Sequence, residues 1–146
     1  MRPTKYGVVV VVEREGRFLV IRRAASVIAP NAWCFVGGAI EAGESEADAV
    51  VREFREEVGG QVRPLHREWE HVSDDGRLHL AWWRAELVGG ELRANPHEVA
   101  EFRWCPLQEI VGLPDLLPSN REYLTTVLGL ASPSAPSPDA SGTPGA

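Results

Sequence analysis

Two cysteines and a single lysine stand among the 146 residues, and no apolar run is longer than a strand. Cys34 and Cys105 cannot build a disulfide framework, and neither sits in a CxxC pair or a Cys/His cluster with zinc spacing. Both read as small buried hydrophobes. The longest apolar stretch, Val8 to Val12, is far too short to cross a bilayer. The charged Arg2 and Lys5 lead straight into that run and then to Glu13, which is unlike a secretory leader. The expected setting is therefore cytoplasmic, with no membrane partner. His66, His71, His79 and His97 lack metal-ligand spacing, and no internal repeat is present. Bases are also scarce relative to acids, 15 Lys plus Arg against 21 Asp plus Glu, a net charge of −6. That balance argues against non-specific binding to nucleic acid, which depends on basic side chains neutralising phosphates.

What is there is concentrated. Residues 41–57 hold seven acidic side chains and two arginines, a local balance of −5, while the other 14 acids and 13 bases nearly cancel. A chain gathers charge in this way either for solubility or to hold a cation. The last 16 residues, 131–146, are four Pro, four Ser, four Ala, two Gly, one Asp and one Thr. Such a segment buries too little apolar area to offset the entropy of ordering it, so it is expected to be a disordered tail. One domain over residues 1–130 remains, long enough to bury a core without staples.

Within that domain, Tyr6 to Val12 is β-branched and apolar, as in a strand buried on both faces. Glu13 to Gly16 reads as a turn, and Phe18 to Ile21 as the returning strand. Trp33 to Val36 is a short apolar piece that ends at Gly37-Gly38. Further strands are expected at Leu78 to Leu87 and Ala100 to Cys105, with a turn at Val88 to Glu91. Trp82 and Trp83 alternate, so one should face inward and the other outward. Ser119 is expected to cap a last helix that runs to about Leu128. The clearest helix spans Glu46 to Val58, with Ser45 and Asp48 as a capping box and Gly59-Gly60 as the stop. Ala47, Val50, Val51, Phe54 and Val58 form its core stripe. Strands around a few helices, without regular βαβ alternation, indicate an α+β fold with a mixed sheet.

On that helix, Glu53, Glu56 and Glu57 are spaced so that their carboxylates converge on one face. Like charges so close are unfavourable unless something positive lies between them, and Arg52 and Arg55 do not obviously neutralise three glutamates plus Glu44. Mg²⁺ prefers such oxygen ligands, usually sharing them with substrate phosphates. A solvated acidic face is the alternative that spacing leaves open. Upstream, Gly37-Gly38 and Gly43 form a loop through which backbone can approach a ligand closely.

Read continuously, the stretch is Gly38, five residues, Glu44, seven residues, then Arg52-Glu53-Phe54-Arg55-Glu56-Glu57-Val58-Gly59. This resembles the Nudix box at every fixed polar and glycine position. Gly60 departs from it, standing where an apolar residue is usual, and Val36 replaces a common proline before the glycines. The resemblance implies an α/β/α sandwich and a Mg²⁺-dependent hydrolase, with Mn²⁺ as a substitute. It implies a substrate with a nucleoside diphosphate linked to another group. It also implies that Glu53, Glu56 and Glu57 ligate metal, that Glu44 adds acidity, that Arg52 orients the glutamates, and that the Gly38 carbonyl completes the shell. Which carboxylate is the base stays open.

Outside the box, Arg22-Arg23-Ala24-Ala25 ahead of Gly37-Gly38 and Leu117-Pro118-Ser119-Asn120 near the C-terminus make the chain most similar to the MutT branch, which removes oxidised guanine nucleotides. That resemblance places Arg23 against phosphate, Phe35 beside the base, and Asn120 on the purine edge. It adds Glu98, six residues before Trp104, to the metal site. Asn120 also fits a helix start, Arg23 a solvated strand end, Glu98 a solvated loop, and Phe35 a core position. The expected activity is conversion of a nucleoside triphosphate, foremost an oxidised purine deoxynucleotide, to monophosphate and pyrophosphate. CTP, a dinucleoside polyphosphate or ADP-ribose, a nucleotide-sensing domain without turnover, and a purely structural acidic domain are the alternatives. Nothing in the sequence specifies an oligomeric state.

Overall fold

A computed structural model describes residues 3–131. The expected tail therefore lies, apart from Ala131, outside the described residues. Strand β1 (Lys5–Arg14) carries five consecutive buried valines, Val8 to Val12. It turns at Glu15-Gly16, both at positive φ (55° and 78°), into β2 (Arg17–Arg23). The returning strand is three residues longer than the apolar run Phe18 to Ile21, because Arg17 pairs with Arg14 at its start and Arg22 and Arg23 pair with β7 residues at its end.

The Trp33 to Val36 segment divides into β3 (Trp33–Cys34) and β4 (Val36–Ala39), which join different neighbours. β3 pairs with β2, whereas β4 lies antiparallel to the first half of β1. β1 contacts β2 only at its far end, Glu13 to Phe18 and Arg14 to Arg17. The first half of β1 and the second half of β2 are therefore held apart, and a cleft opens beside β4.

Helix α1 (Glu46–Val58) has the expected ends. The Ser45 hydroxyl accepts from the Asp48 N–H at 3.0 Å, and Gly59 closes the helix in the left-handed region at φ 77°. Its buried face consists of Ala49, Val50, Glu53, Phe54, Glu57 and Val58. Ala49, and not Ala47, thus belongs to the stripe, and two glutamates share it.

A long strand follows, β5 (Gln61–Val72), which the sequence pattern conceals. Pro64 and three irregularities in its pairing with β6 (Leu78–Gly89) break the two-residue alternation by which strands are read. β6 runs parallel to β1 from Lys5/Leu78 to Val12/Ala85, which makes the sheet mixed. β7 (Val99–Cys105) pairs with β2 on the opposite flank. The full order is β3-β2-β1-β6-β5, with β4 on β1 and β7 on β2.

Helices cover both faces. Val8, Val10 and Val12 pack with Val50, Phe54 and Val58 of α1. Val9 and Val11 pack on the other side with Ile110 of the short α2 (Leu107–Ile110) and with Tyr123 and Leu124 of α3 (Pro118–Thr126). Two covered faces account for a strand without polar alternation. They also correct the reading of the tryptophan pair. Trp82 is buried under α3, and Trp83 packs against the α1 side, where its Nε1–H donates to Glu46 at 2.8 Å. Helix α3 starts one residue before Ser119, with Leu117 as N-cap and Pro118 in the first turn, and it ends at Thr126. The fixed φ of proline suits that opening position, so no hydroxyl cap is needed. Among the described residues, no helix is long and apolar enough to cross a membrane. Cys34 and Cys105 are both free and buried, and burial pushes the Cys34 thiol up to about 11.

Candidate metal centre and adjoining cavity

Arg52 organises the outer part of the acidic segment. Its Nε and Nη2 grip the two oxygens of Glu44 at 2.7 and 2.9 Å. Nη1 donates to Glu53 at 3.0 Å and to Glu56 at 3.1 Å, and Nη2 also donates to the Ala39 carbonyl at 2.8 Å. The forked guanidinium fits this set because it offers several donors in one plane. The Glu44 carboxylate is held down at about 2, mainly by Arg52 and then by the Glu41 N–H. Arg52 is raised above its ordinary value by the same Glu44 contact.

The inner part is different. Glu53 and Glu57 lie on the buried face of α1, and Glu98 reaches them from the loop before β7. One carboxylate oxygen from each of the three lies within 4.8 Å of the others. Burial raises the pKa of both Glu53 and Glu57, and Glu57 reaches about 9 through burial and its contact with Glu53. Glu57 Oε1 is buried with no hydrogen-bond partner among the described residues. Buried carboxylates facing one another hold a proton unless a cation replaces it. Three hard oxygen donors, one with an unused lone pair, suit a divalent cation such as Mg²⁺. Glu98 is on the exposed side of the group, so the centre is open to solvent and to a ligand.

The two glycines before the acidic segment provide the space. A Cβ at Gly38 would collide with the Glu53 carboxyl, and one at Gly37 with the Val8 carbonyl. Gly38 is paired with Val8 in the β1–β4 ladder, so it brings the strand hard against Glu53. Gly60 is explained in the same way. A side chain there would place Cβ 2.6 Å from Phe54 and 2.7 Å from Leu92, whose bulk fills the volume an apolar residue would otherwise take.

Beside Gly37 and Gly38 the cleft between β1 and β2 widens into a cavity of about 240 Å³. Val9, Ile21, Leu80 and Leu117 supply apolar wall, and Lys5, Arg23, Ser119 and Asn120 supply polar groups. Arg23 is braced by a 2.7 Å bond from its Nε to the Ile28 carbonyl. Asn120 is buried inside α3, and its Oδ1 accepts from the Phe35 N–H at 2.8 Å. The Phe35 ring faces away into the core, edge-on to Trp82 and Tyr123.

The structure thus brings Glu53, Glu57 and Glu98 together, with Arg23 and Asn120 on one adjoining cavity. It sets Glu56 apart on the Arg52 side, half exposed. It gives Phe35 a core ring and leaves its main chain to meet Asn120. Asn95 received no role from the sequence, yet it connects α1 to the loop bearing Glu98. Only its position in a polar, turn-forming stretch hinted at this.

The chain is similar to known proteins in both sequence and fold. A family model described as NUDIX domain matches residues 1–127. A CTP pyrophosphohydrolase of Escherichia coli K12 is 32% identical over 125 residues, covering 84% of this chain and 90% of that protein. An NAD-capped RNA hydrolase of Stutzerimonas stutzeri is 30% identical over 110 residues, or 73% of this chain, but the match spans 38% of that longer protein. Among solved structures, the E. coli ORF135 protein superposes with a TM-score of 0.75 at 30% identity, covering 91% of this chain and 96% of that one.

Proposed function

Because the chain belongs to the Nudix family and is a pyrophosphohydrolase of that family, we propose that it cleaves a nucleoside triphosphate to monophosphate and pyrophosphate. The proposed cofactor is Mg²⁺, with Mn²⁺ as a substitute. The observation that carries this is the buried carboxylate trio, with its unpartnered Glu57 oxygen, next to a cavity bearing a cation and an amide.

Glu53, Glu57 and Glu98 would hold the metal, and Glu56, one helical turn from Glu53, would add a further carboxylate. When bound, the metal supplies charge neutralisation at the diphosphate and acidifies water. The protein's own part is positioning and proton transfer. Arg52 fixes the Glu53 carboxylate and ties it to Glu44 and the Ala39 carbonyl. Gly38 leaves room for that carboxylate, and its carbonyl is the proposed main-chain ligand. A deprotonated glutamate of the cluster accepts the proton of the attacking water. Arg23, braced from behind, presents its guanidinium to phosphate. The Asn120 amide, oriented by the Phe35 N–H, presents its NH₂ to a base edge.

An oxidised purine deoxynucleotide is the proposed substrate. CTP is the second reading, favoured by the near full-length match to a protein named for that activity. Steady-state hydrolysis of 8-oxo-dGTP, dGTP, CTP, ADP-ribose and a diadenosine polyphosphate, each with Mg²⁺ and with EDTA, tests the proposal. The expected result is Mg²⁺-dependent release of pyrophosphate, fastest from 8-oxo-dGTP. Preference for CTP would replace the base assignment and keep the chemistry. Turnover of none of them would overturn the proposal.

A further inference from the structure

We infer that Asn95 is a positioning residue for the metal centre, coupling the end of α1 to the placement of Glu98. The inference rests on the proposed metal site and concerns how its third carboxylate is delivered. Glu53 and Glu57 come from one helix and are spaced by it. Glu98 comes from a loop 41 positions further along the chain than Glu57, so its distance from them must be set by tertiary contacts.

Asn95 supplies those contacts with every polar group it has. Its N–H donates to the Glu57 carbonyl at 2.9 Å, and its Nδ2 donates to the Glu56 carbonyl at 3.2 Å. Both acceptors are last-turn carbonyls that lack a partner within the helix. Its Oδ1 accepts from the His97 N–H at 3.1 Å, and its carbonyl accepts from the N–H groups of Glu98 and Val99 at 3.0 and 2.7 Å. One residue thus anchors to the main chain of Glu57 and folds the turn that presents Glu98. Asparagine suits the position because it offers a donor and an acceptor on a short side chain. The far end of the turn is fixed too, since the Glu98 carbonyl accepts from the Ala24 N–H at 3.0 Å. Partners that orient metal ligands are worth about 10- to 100-fold in affinity or activity.

The test is Mn²⁺ binding, followed by calorimetry, in wild type, Asn95→Ala, Glu98→Gln and the double variant, with urea midpoints recorded for each. If Asn95 acts through Glu98, Asn95→Ala weakens Mn²⁺ binding about tenfold, and the double variant binds no more weakly than Glu98→Gln alone. A merely structural role would lower the urea midpoint without this non-additivity. Asn95→Ser, which keeps an acceptor for the His97 N–H, loses less affinity than alanine and serves in the same cycle if alanine does not fold. Wild-type affinity in Asn95→Ala, or losses that multiply in the double variant, would overturn the inference. Absence of Mn²⁺ binding in wild type would overturn the metal site itself, and this inference with it.

Discussion

The two sides of helix α1 carry the same residue type in opposite circumstances. On the outer side, Glu44 and Glu56 converge on Arg52, and Glu44 is held near 2 by that cation. On the inner side, Glu57 faces Glu53 and Glu98 with an oxygen left unpartnered, and its carboxyl stands near 9. Glu53 touches both sides, accepting one bond from Arg52 while lying in the inner group. Acid whose charge is already matched by the protein is structural. Buried acid whose charge is unmatched is unfavourable to stability, and a ligand cation is what relieves it. The difference separates scaffold from site within one 13-residue helix.

The widest gap between the two sides should appear on replacing inner and outer carboxylates by amides. Glu57→Gln should lower kcat by on the order of 10³-fold, within the range seen for lost proton-transfer groups. The metal-free variant should be at least as stable as wild type in urea, because a neutral amide replaces a buried carboxyl that folding already holds protonated. Reduced stability would show that Glu57 is structural after all.

Arg52→Ala removes the outer cation and should lower stability, because Glu44 and Glu53 lose the group that matches their charge. It should also slow turnover about 10- to 100-fold through misplacement of Glu53. Urea unfolding and steady-state kinetics on one preparation measure both losses, and an unchanged kcat would sever the link between the two sides.

Acidity gives a further test. Glu57 titrates near 9 when folded against an ordinary value of 4.5. The folded chain thus keeps a proton that the unfolded chain gives up. In metal-free protein this contribution to stability is complete below pH 4.5 and is lost as pH rises toward 9. Mg²⁺ competes for the same site, so its affinity should rise with pH up to about 9, by about tenfold per unit at most. Thermal melts with and without Mg²⁺ between those limits should diverge with increasing pH.

The smallest effect is expected at Glu56→Gln, on the exposed outer side. Stability should change by less than about 0.5 kcal/mol, and activity should fall by about tenfold. A loss matching that of Glu57→Gln would place Glu56 in the inner group and blur the division.

Much of this arrangement was legible in the sequence because it is local. The ends of α1 follow from Ser45 and Gly59, and the spacing of Glu53, Glu56 and Glu57 follows from helix geometry. The five valines of β1 already implied two covered faces. What was hidden depends on distant partners. The bulges of β5 erase its alternation. The division between Glu56 and Glu57 is set by which side of the helix meets the sheet, and spacing alone treats them as equals. Gly60 looks anomalous until Leu92 is found filling its space, and Asn95 is unremarkable until it docks on the end of α1. Phe35 shows the opposite case, an aromatic whose proximity to the cavity is real while its ring belongs to the core.

The central claim is that the inner trio is a cation site. A calorimetric titration of wild type and Glu57→Gln with Mg²⁺ at pH 8, repeated in buffers of different ionisation enthalpy, tests it most directly. The account predicts saturable binding to wild type with net proton release, and loss of that binding in Glu57→Gln. Equal binding by both proteins, or binding to wild type without release of a proton, would contradict it.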